Sequence, residues 1–305
     1  MGKELEKLRN MKNEELPLGL DHVGLILRNL EAGRATYERL GFQLTPKSTH
    51  SGSREPGGPV EHFGSGNHCA MFKKGYFEVM GLTDPDLYST ARTLLKKYEG
   101  LHIIAFDGAD AETNYRILSR RFDGVEAPKR LEREVNTDSH QKEPSRAVFN
   151  NVTLDPALFP EAKIIFIEHV TRELLWQPEW MEHPNGTLSL DEVALCVEDI
   201  DAVSAKFSRL LNCTPSFPTT GVSQFKLAEG KVYIMNPATV TKWIPGVAPP
   251  SIPSVVGVGF RVRNLDTTRR LLDMNSVAYQ SHSYPGIWIH PEITGGAVIS
   301  FMQFE

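Results

Sequence analysis

The chain has 305 residues, of which 40% are hydrophobic and 23% are charged, with 24 glycines and 20 prolines. This composition is typical of a globular protein with one large or two medium cores, and it excludes collagen, coiled-coil and disordered proteins. The formal net charge of −5 gives no basic footprint for nucleic acid or for an anionic membrane. We therefore expect small molecules as partners, and a homodimer is compatible with the sequence.

The N-terminus and the cysteines indicate the compartment. No apolar run approaches the ~18 to 20 residues of a membrane span, and the charged N-terminus lacks the apolar region of a signal peptide. Cys69, Cys196 and Cys213 are widely spaced and form no C-x-x-C pair, which favours reduced thiols. The sequence predicts a cytoplasmic protein.

A strand and helix pattern recurs four times along the chain. The first copy, LDHVGLILRNLEAGRATYERLGFQL, reads as a short apolar strand, a helix with apolar residues at helical spacing, and a Leu-Gly-Phe that opens a second strand. The same order returns near Gly100, Ser189 and Val255, and β-rich segments follow each helix. Each unit reads as βαβββ. A one-faced sheet cannot bury itself alone, so four units predict two paired domains.

The segments between the units suggest the domain boundaries. We expect an N-terminal extension at 1–17, a first domain at 18–175 and a second domain at 188–305, with a connector at 174–187.

Two further segments have little strand or helix pattern. The charged stretch at 123–145 is predicted to be a loop. The stretch at 48–65 is rich in Gly, Pro and Ser and contains His50 and His62, and it is either a lid over a pocket or a long hairpin connection. The stretch at 123–145 is not expected to carry the chemistry of the main site.

Three strings carry a family resemblance: the opening LDHVGLILRNLEAGRATYERLGF, the later GSGNHCAMFKKGYFEVMGL and the connector EHVTRELLWQPEWMEHPNG. They resemble the vicinal oxygen chelate superfamily, and within it the proteins with a glyoxalase-like domain. The resemblance extends over nearly all of the chain from about residue 18. It implies an α+β fold of four βαβββ modules, paired into two domains of the glyoxalase/bleomycin-resistance/dioxygenase type. A fold of this kind implies no single reaction.

The resemblance also implies a divalent metal, held in a cupped sheet by the first and last strands of each module. At those places stand His22 and Glu78 in the first module, and His102 with Glu168 or His169 in the second. Successive strand residues face opposite sides, so only one of the last two can point into the cup, and aligning E-V-M with H-V-T favours His169. Imidazoles with a carboxylate suit Fe, Mn, Ni, Co or Zn.

Outside this set the candidates are fewer. His68 could be a catalytic acid or base, because an imidazole titrates near neutrality, or a half-buried strand histidine bonded to the backbone. In the second domain Glu192 occupies the place of His22, but Met235 or Asn236 occupies the late-strand place. We therefore expect the second domain to be structural or dimerising.

Three functions remain open. The first is a metal-dependent enzyme of the lyase, isomerase or dioxygenase type, in which the metal chelates adjacent oxygens of a small oxygenated molecule. The second is a metal-free protein that binds or sequesters a small ligand in the same cup, which is favoured if His22, His102 and Glu78 point to different faces. The third is a scaffold or regulatory subunit with a large apolar face for a partner.

Overall fold

The computed structural model describes residues 18–52, 59, 61–135, 145–282 and 284–304. The predicted N-terminal extension lies outside the described residues. Elements of the first half of the chain are, in order, β1 (Gly19–Leu27), α1 (Leu30–Arg39), β2 (Ser48–Gly52), β3 (Glu61–Met71), β4 (Tyr76–Leu82), α2 (Ala91–Leu95), β5 (Gly100–Asp107), α3 (Ala111–Arg121), β6 (Lys129–Val135), β7 (Ser145–Thr153) and β8 (Lys163–His169).

The second half repeats this order after two short 3₁₀ turns, Arg172–Leu174 and Pro178–Trp180. Its elements are β9 (Thr187–Cys196), α4 (Ile200–Leu211), β10 (Ser216–Thr219), β11 (Val222–Lys226), β12 (Lys231–Met235), α5 (Pro237–Trp243), β13 (Ser254–Val262), α6 (Leu265–Met274), β14 (Gln280–Ser281), β15 (Gly286–Ile289), α7 (Pro291–Thr294) and β16 (Val298–Met302). Within the described residues, no helix has the length and apolar character that a membrane crossing needs.

Each half of the chain builds one curved eight-stranded sheet. The strand orders are β2-β3-β4-β1-β5-β8-β7-β6 and β10-β11-β12-β9-β13-β16-β15-β14. The first and last strands of a module are parallel neighbours, and the two modules of a sheet join through antiparallel first strands, β1 with β5 and β9 with β13. The prediction of four βαβββ modules in two pairs is confirmed.

The module helices share a start signal. α1, α3, α4 and α6 follow Asn29, Asp110, Asp199 and Asn264, and each of these side chains accepts a hydrogen bond from the backbone N–H three residues later. Short polar side chains are favoured at this position because they satisfy one of the unpaired N–H groups of the first turn. The repeat is visible in the sequence because this cap recurs after each apolar strand.

The faces of each sheet have different roles. Along β1, Val23 and Leu25 belong to the main core, whereas Ile26 packs in a separate cluster on the opposite, cupped face. The main core is shared by both sheets: Phe42 from the first half lies edge to face against Phe260 of β13, with ring centroids 5.2 Å apart. The second sheet has its own cluster on its cupped face.

Two of the segments predicted to be irregular contain strands. The prediction of a loop at 123–145 is wrong for Lys129–Val135, which forms β6 in register with β7. The stretch at 48–65 begins with β2, which pairs with β3. Both strands are charged or polar in sequence, so they lack the apolar alternation that reveals a strand. They form part of the wall of the cavity described next.

Candidate functional site

The cupped face of the first sheet encloses a cavity of about 270 Å³. Tyr76, Phe149, Ile165 and Ile167 form much of its apolar wall. Polar side chains from most strands of the sheet line it, among them His22 from β1, His50 from β2, Asn67 from β3, Glu78 from β4, Arg133 from β6 and Lys163 from β8. An apolar pocket with a few convergent polar groups is the usual form of a small-molecule site.

A buried carboxylate, Asp21, lies between two imidazoles. His22 Nδ1 lies 2.7 Å from Asp21 Oδ1, and His169 Nε2 lies 3.1 Å and 3.2 Å from the two carboxylate oxygens. Burial acts to raise the pKa of the Asp21 carboxyl, but hydrogen bonds and charge attraction from His169 and His22 outweigh it and lower the pKa. Asp21 is therefore an ionised acceptor that fixes both rings.

These bonds determine which ring nitrogens remain for a ligand. An ionised carboxylate only accepts hydrogen bonds, so Asp21 requires a proton on His22 Nδ1 and on His169 Nε2. In neutral His22 the second nitrogen, Nε2, is then a free base. The His22 ring also stacks on Tyr76, with centroids 4.3 Å apart. His169 Nδ1 is buried and has no hydrogen-bond partner in the described part of the chain.

Glu78 is held by a polar chain across the cup. Asn67 Nδ2 donates to Glu78 Oε1, and Arg133 Nη1 donates to Asn67 Oδ1 at 3.3 Å. Burial acts to raise the pKa of Glu78, but attraction from His22, His50 and Arg133 together with the Asn67 bond lowers it. Glu78 is therefore ionised at neutral pH.

The cavity also holds two cations. The Arg133 guanidinium lies over the Phe149 ring, 4.8 Å from its centroid, and its Nε has no hydrogen-bond partner among the described residues. Lys163 is half-buried at the start of β8, and in the described ranges its ammonium makes neither a hydrogen bond nor an ion pair. Burial lowers the pKa of Lys163, and Glu78 partly opposes this shift. A half-buried ammonium without a partner favours an anion beside it.

His50 remains neutral beside these charges. Its Nδ1 lies 3.0 Å from Ser65 Oγ. Burial lowers the pKa of His50 to about 4; the charge of Glu78 opposes the shift, and Arg133 and Lys163 add to it. His50 therefore contributes hydrogen bonds rather than charge at physiological pH.

Two of the predicted site residues lie away from the cavity. His102 sits at a register shift of β5, stacks on Tyr98 with centroids 4.0 Å apart, and has its Nε2 2.9 Å from the Tyr98 carbonyl oxygen. His68 follows Asn67 in β3 and bonds to the Thr45 carbonyl, 2.8 Å from its Nδ1. Strand alternation places Asn67 on the cup, and so turns His68 to the other face of the sheet. The structure does not bring His68 or His102 to the other candidates.

The two last-strand candidates of the second module separate as strand alternation requires. Glu168 accepts hydrogen bonds from the backbone N–H of Ala111 at 3.1 Å and from Asn150 at 2.9 Å, on the helix side of the sheet. His169 turns the other way, toward Asp21 and the Trp176 ring. Of the predicted ligands, only His22 and Glu78 line the cavity itself.

The residues present do not fit the metal centre that the resemblance implies. Among the described residues, no group of three or more His, Cys, Asp and Glu side chains is placed to hold a metal ion. His169 uses Nε2 on Asp21, and His102 is turned to Tyr98. Arg133 and Lys163 bring positive charge into the space that a cation would share. Catalytic zinc sites have three protein ligands, whereas two of the predicted ligands, His22 and Glu78, line this cavity.

Several residues of this site were missed in the sequence. Asp21 precedes His22, and regular strand alternation would turn it away from the face that carries His22, so its position in the sequence gives no signal. Arg133 lies in the segment predicted to be a loop, and Lys163 precedes an apolar run as an ordinary solvated strand end does. His50 lies in the stretch at 48–65, which the sequence indicates only as a lid or a long hairpin connection. The only sequence signal for Arg133 and Lys163 is a positive charge in or beside a strand. Such charges usually lie on the solvated surface, so this signal does not indicate a binding site.

The fold has relatives among solved structures. A hypothetical protein from Staphylococcus aureus matches with a TM-score of 0.60 and 13% identity, over 94% of this chain and 100% of that chain. A triply substituted 4-hydroxymandelate synthase from Streptomyces coelicolor matches with a TM-score of 0.55 and 11% identity, over 94% and 93%. At these identities the likeness shows the fold alone.

Sequence comparison identifies the family. No curated protein matches the chain significantly. The model of the glyoxalase-like domain matches residues 20–211, which is more than half of the chain and includes the first sheet from the second residue of β1 onward, with its cavity. The chain belongs to the family of glyoxalase-like domain proteins, within the vicinal oxygen chelate fold.

Proposed function

We propose that the cup of the first sheet binds a small organic molecule with a carboxylate or another oxyanion, and that His22 takes a proton from it. The observation that carries this proposal is that the Lys163 ammonium, which has no partner among the described residues, lies in the same cavity as an imidazole whose Nδ1 is fixed by Asp21. Arg133 adds a second cation to the cavity, and a bidentate guanidinium suits a carboxylate.

The proposed reaction uses two kinds of side chain, the imidazole base of His22 and the cations of the cavity. The C–H bond next to a ketone of the ligand breaks, its proton moves to His22 Nε2, and its electron pair passes to the carbonyl oxygen as an enolate. Positive side chains in a largely apolar cavity stabilise the charge that develops on that oxygen. The reaction class is proton abstraction next to a carbonyl, as in isomerases and lyases.

A metal-dependent reaction of the lyase, isomerase or dioxygenase type is the second candidate. Two observations favour it: His22 and Glu78 line one cavity, and a carboxylate bonded to the other nitrogen of an imidazole is the usual support of a metal-bound histidine. A divalent transition metal held by these two residues would have to complete its coordination with ligand and water. Elemental analysis, described in the Discussion, separates the two candidates.

The binding half of the proposal is tested with two matched ketones. 4-Oxo-4-phenylbutanoate and butyrophenone share the phenyl ketone and differ in that a carboxylate replaces a methyl group. By titration calorimetry we expect the acid to bind, and we expect the affinity of the neutral ketone to be lower by a factor of at least about ten. Equal affinities, or no binding of the acid at millimolar concentration, would contradict an anion site.

Variants locate the binding. Lys163→Met should weaken binding of the acid about tenfold, because the anion then loses one of its two cationic partners in the cavity. The matched control is Lys129→Met, which removes an exposed lysine paired with Glu126 outside the cavity. We expect the control to bind as the parent does, and an equal effect of the two substitutions would argue against this site.

The proton step is tested separately. In deuterium oxide, we expect the parent to exchange the hydrogens next to the ketone of 4-oxo-4-phenylbutanoate faster than buffer does, as followed by proton NMR. His22→Gln should abolish this excess and leave binding within about twofold, because the amide retains polar contacts and lacks the base. Exchange by the variant at the parental rate would exclude His22 as the base.

A further inference from the structure

The second sheet encloses a cavity of its own, about 290 Å³ in volume. Its wall is rich in aromatic side chains: Tyr233, Trp243, His282, Tyr284 and Phe304. Tyr233 and Trp243 meet edge to face with centroids 6.1 Å apart, and His282 stacks on Tyr284 with centroids 4.4 Å apart. The cup predicted to be structural is therefore an open, aromatic pocket.

The strand register explains why this pocket is open at its centre. Glu192 faces Gly259 across β9 and β13, as His22 faces Ala105 across β1 and β5. Ala194 likewise faces Gly257, where Gly24 faces Ile103. A Cβ on Gly259 would lie 3.3 Å from Glu192 Oε2 and 2.6 Å from Met302 Cε. Glycines thus leave space where the first cup carries side chains.

The polar groups of this pocket are largely paired with one another. Lys231 Nζ donates to Glu192 Oε1 at 3.0 Å, and Gln224 Nε2 donates to the Tyr233 hydroxyl at 2.7 Å. Tyr233 occupies the register position of Glu78, since it lies two residues beyond the partner of Glu192 on β12. The prediction that Met235 or Asn236 occupies this position is therefore wrong. Glu192 Oε2 is an acceptor that has no hydrogen bond within the described part, and it lies beside Gly259.

The two pockets also differ in charge. In the second pocket the single ammonium, Lys231, is already bonded to Glu192 and lies 3.6 Å from Asp191 Oδ2. Burial lowers the pKa of His282 to about 4, so this imidazole is neutral at physiological pH. Among the described residues, this pocket therefore offers no free positive charge to an anion, whereas the first cup offers Lys163.

We infer that the second cup is a binding site for an uncharged aromatic molecule that donates an N–H or O–H hydrogen bond to Glu192 Oε2. Aromatic walls bind a planar ring through offset and edge contacts, and a carboxylate oxygen is a strong acceptor in an apolar setting. An anionic ligand is disfavoured because it would meet Glu192 without a free cation. This site is separate from the cup of the first sheet and does not depend on its proposed function.

The ligand side of the inference is tested with three related probes. Indole has an aromatic plane and one N–H donor, 1-methylindole lacks the donor, and indole-2-carboxylate adds a negative charge. By titration calorimetry we expect indole to bind. The affinities of 1-methylindole and indole-2-carboxylate should be lower by a factor of at least about ten. No binding of indole at millimolar concentration, or equal binding of all three, would overturn the inference.

Variants assign the site. Tyr284→Ala removes a partly exposed aromatic ring from the wall of the pocket and should weaken indole binding about tenfold. Gly259→Ala, whose new methyl group would lie next to Glu192, should also weaken it. Phe217→Ala removes an aromatic side chain that is 62% exposed and lies outside the pocket, and it should bind indole as the parent does.

A last variant separates the two cups. Arg133 lines the cavity of the first sheet and not that of the second, so indole affinity should remain parental in Arg133→Met. Circular dichroism melting of each variant shows whether it is folded. Loss of indole binding in the folded Arg133 variant, or parental binding in both pocket variants, would place indole elsewhere and overturn the inference.

Discussion

His22 Nδ1 lies 2.7 Å from Oδ1 of Asp21, the residue that precedes it in β1. Neighbouring residues of a regular strand point to opposite faces, and these two side chains meet at a place where the register of β1 against β5 shifts between Leu20 and His22. The irregularity lets one buried carboxylate hold His22 and His169 together. It makes Asp21 the centre of the polar structure behind the first cavity.

Asp21→Asn should therefore reduce both stability and function. An amide keeps one acceptor and adds a donor, so one of the two imidazole N–H groups loses its partner. We expect the free energy of unfolding in urea to fall by about 1.5–3 kcal/mol, the usual worth of a buried hydrogen bond to a charged group. We also expect the proton exchange attributed to His22 to be lost.

The control for this change is Asp110→Asn. Asp110 is an exposed cap of α3 that accepts from the Thr113 backbone N–H, and asparagine caps helices about as well as aspartate. The unfolding free energy of the Asp110→Asn variant should stay within about 0.5 kcal/mol of the parental value. If Asp21→Asn is as stable as this control, the pairing of Asp21 with both histidines is not stabilising.

Treatment with a metal chelator is expected to leave the stability of the protein unchanged. Protein purified without chelators or a nickel column should contain well under one transition-metal ion per chain by elemental analysis, and dialysis against EDTA should not shift its melting temperature. The physical reason is that only His22 and Glu78 of the predicted ligands reach the cavity, together with two cations. One ion per chain that disappears in a His22→Ala/Glu78→Ala double variant would instead support the metal-dependent candidate.

The fold was predictable because its signals are local and repeated. Apolar strands, Asn or Asp caps and helical spacing recur in each module, and strand alternation alone separates Glu168 from His169. The site was less predictable because it depends on irregularities and on distant pairing. A register shift at His102 turns that ring to Tyr98, and another brings Asp21 to His22. No local pattern reveals where such shifts fall.

The cations of the first cavity illustrate a second limit. Arg133 belongs to a strand, KRLEREV, whose charged sequence resembles a solvated loop. It becomes a strand because it pairs with β7 along its length, and that pairing joins segments separated by residues outside the described part. Tertiary pairing overrides local propensity here, so the cup wall is visible only once the sheet is assembled.

The two sheets should unfold together because of Phe260. Its ring is fully buried and lies 5.2 Å from Phe42 and 5.5 Å from both Phe72 and Phe77, all in the first half of the chain. Phe260→Ala leaves a cavity in this shared core and should cost about 3–5 kcal/mol. We expect a single urea transition, coincident by circular dichroism and tryptophan fluorescence, in the parent and in the variant.

The exposed Phe217 provides the comparison, since Phe217→Ala should change the unfolding free energy by less than about 0.5 kcal/mol. Two separate transitions in the parent, of which Phe260→Ala shifts only one, would mean that the halves are independent units despite their shared core.

His183 should make the protein less stable in mild acid. The Gln43 backbone N–H donates to His183 Nδ1 at 3.0 Å, and His183 Nε2 lies 2.8 Å from the Met71 carbonyl oxygen, so the neutral ring satisfies both partners. Burial lowers the pKa of His183, and the Met71 bond only partly opposes this. A second ring proton would face the Gln43 N–H.

The sign of the pH effect follows from this lowered pKa. Below the unfolded value of about 6.5, the unfolded chain binds a proton that the folded chain resists, so stability falls as the pH falls. Between pH 7.5 and 5.5 the parent should lose about 1 kcal/mol more unfolding free energy than His183→Gln, which cannot titrate. Between pH 7.5 and 8.5 both states leave the ring neutral, and the difference between the two proteins should stay constant. Urea unfolding at the three pH values measures this, and an equal loss in both proteins at pH 5.5 would show that His183 is protonated in the folded state as readily as in the unfolded chain.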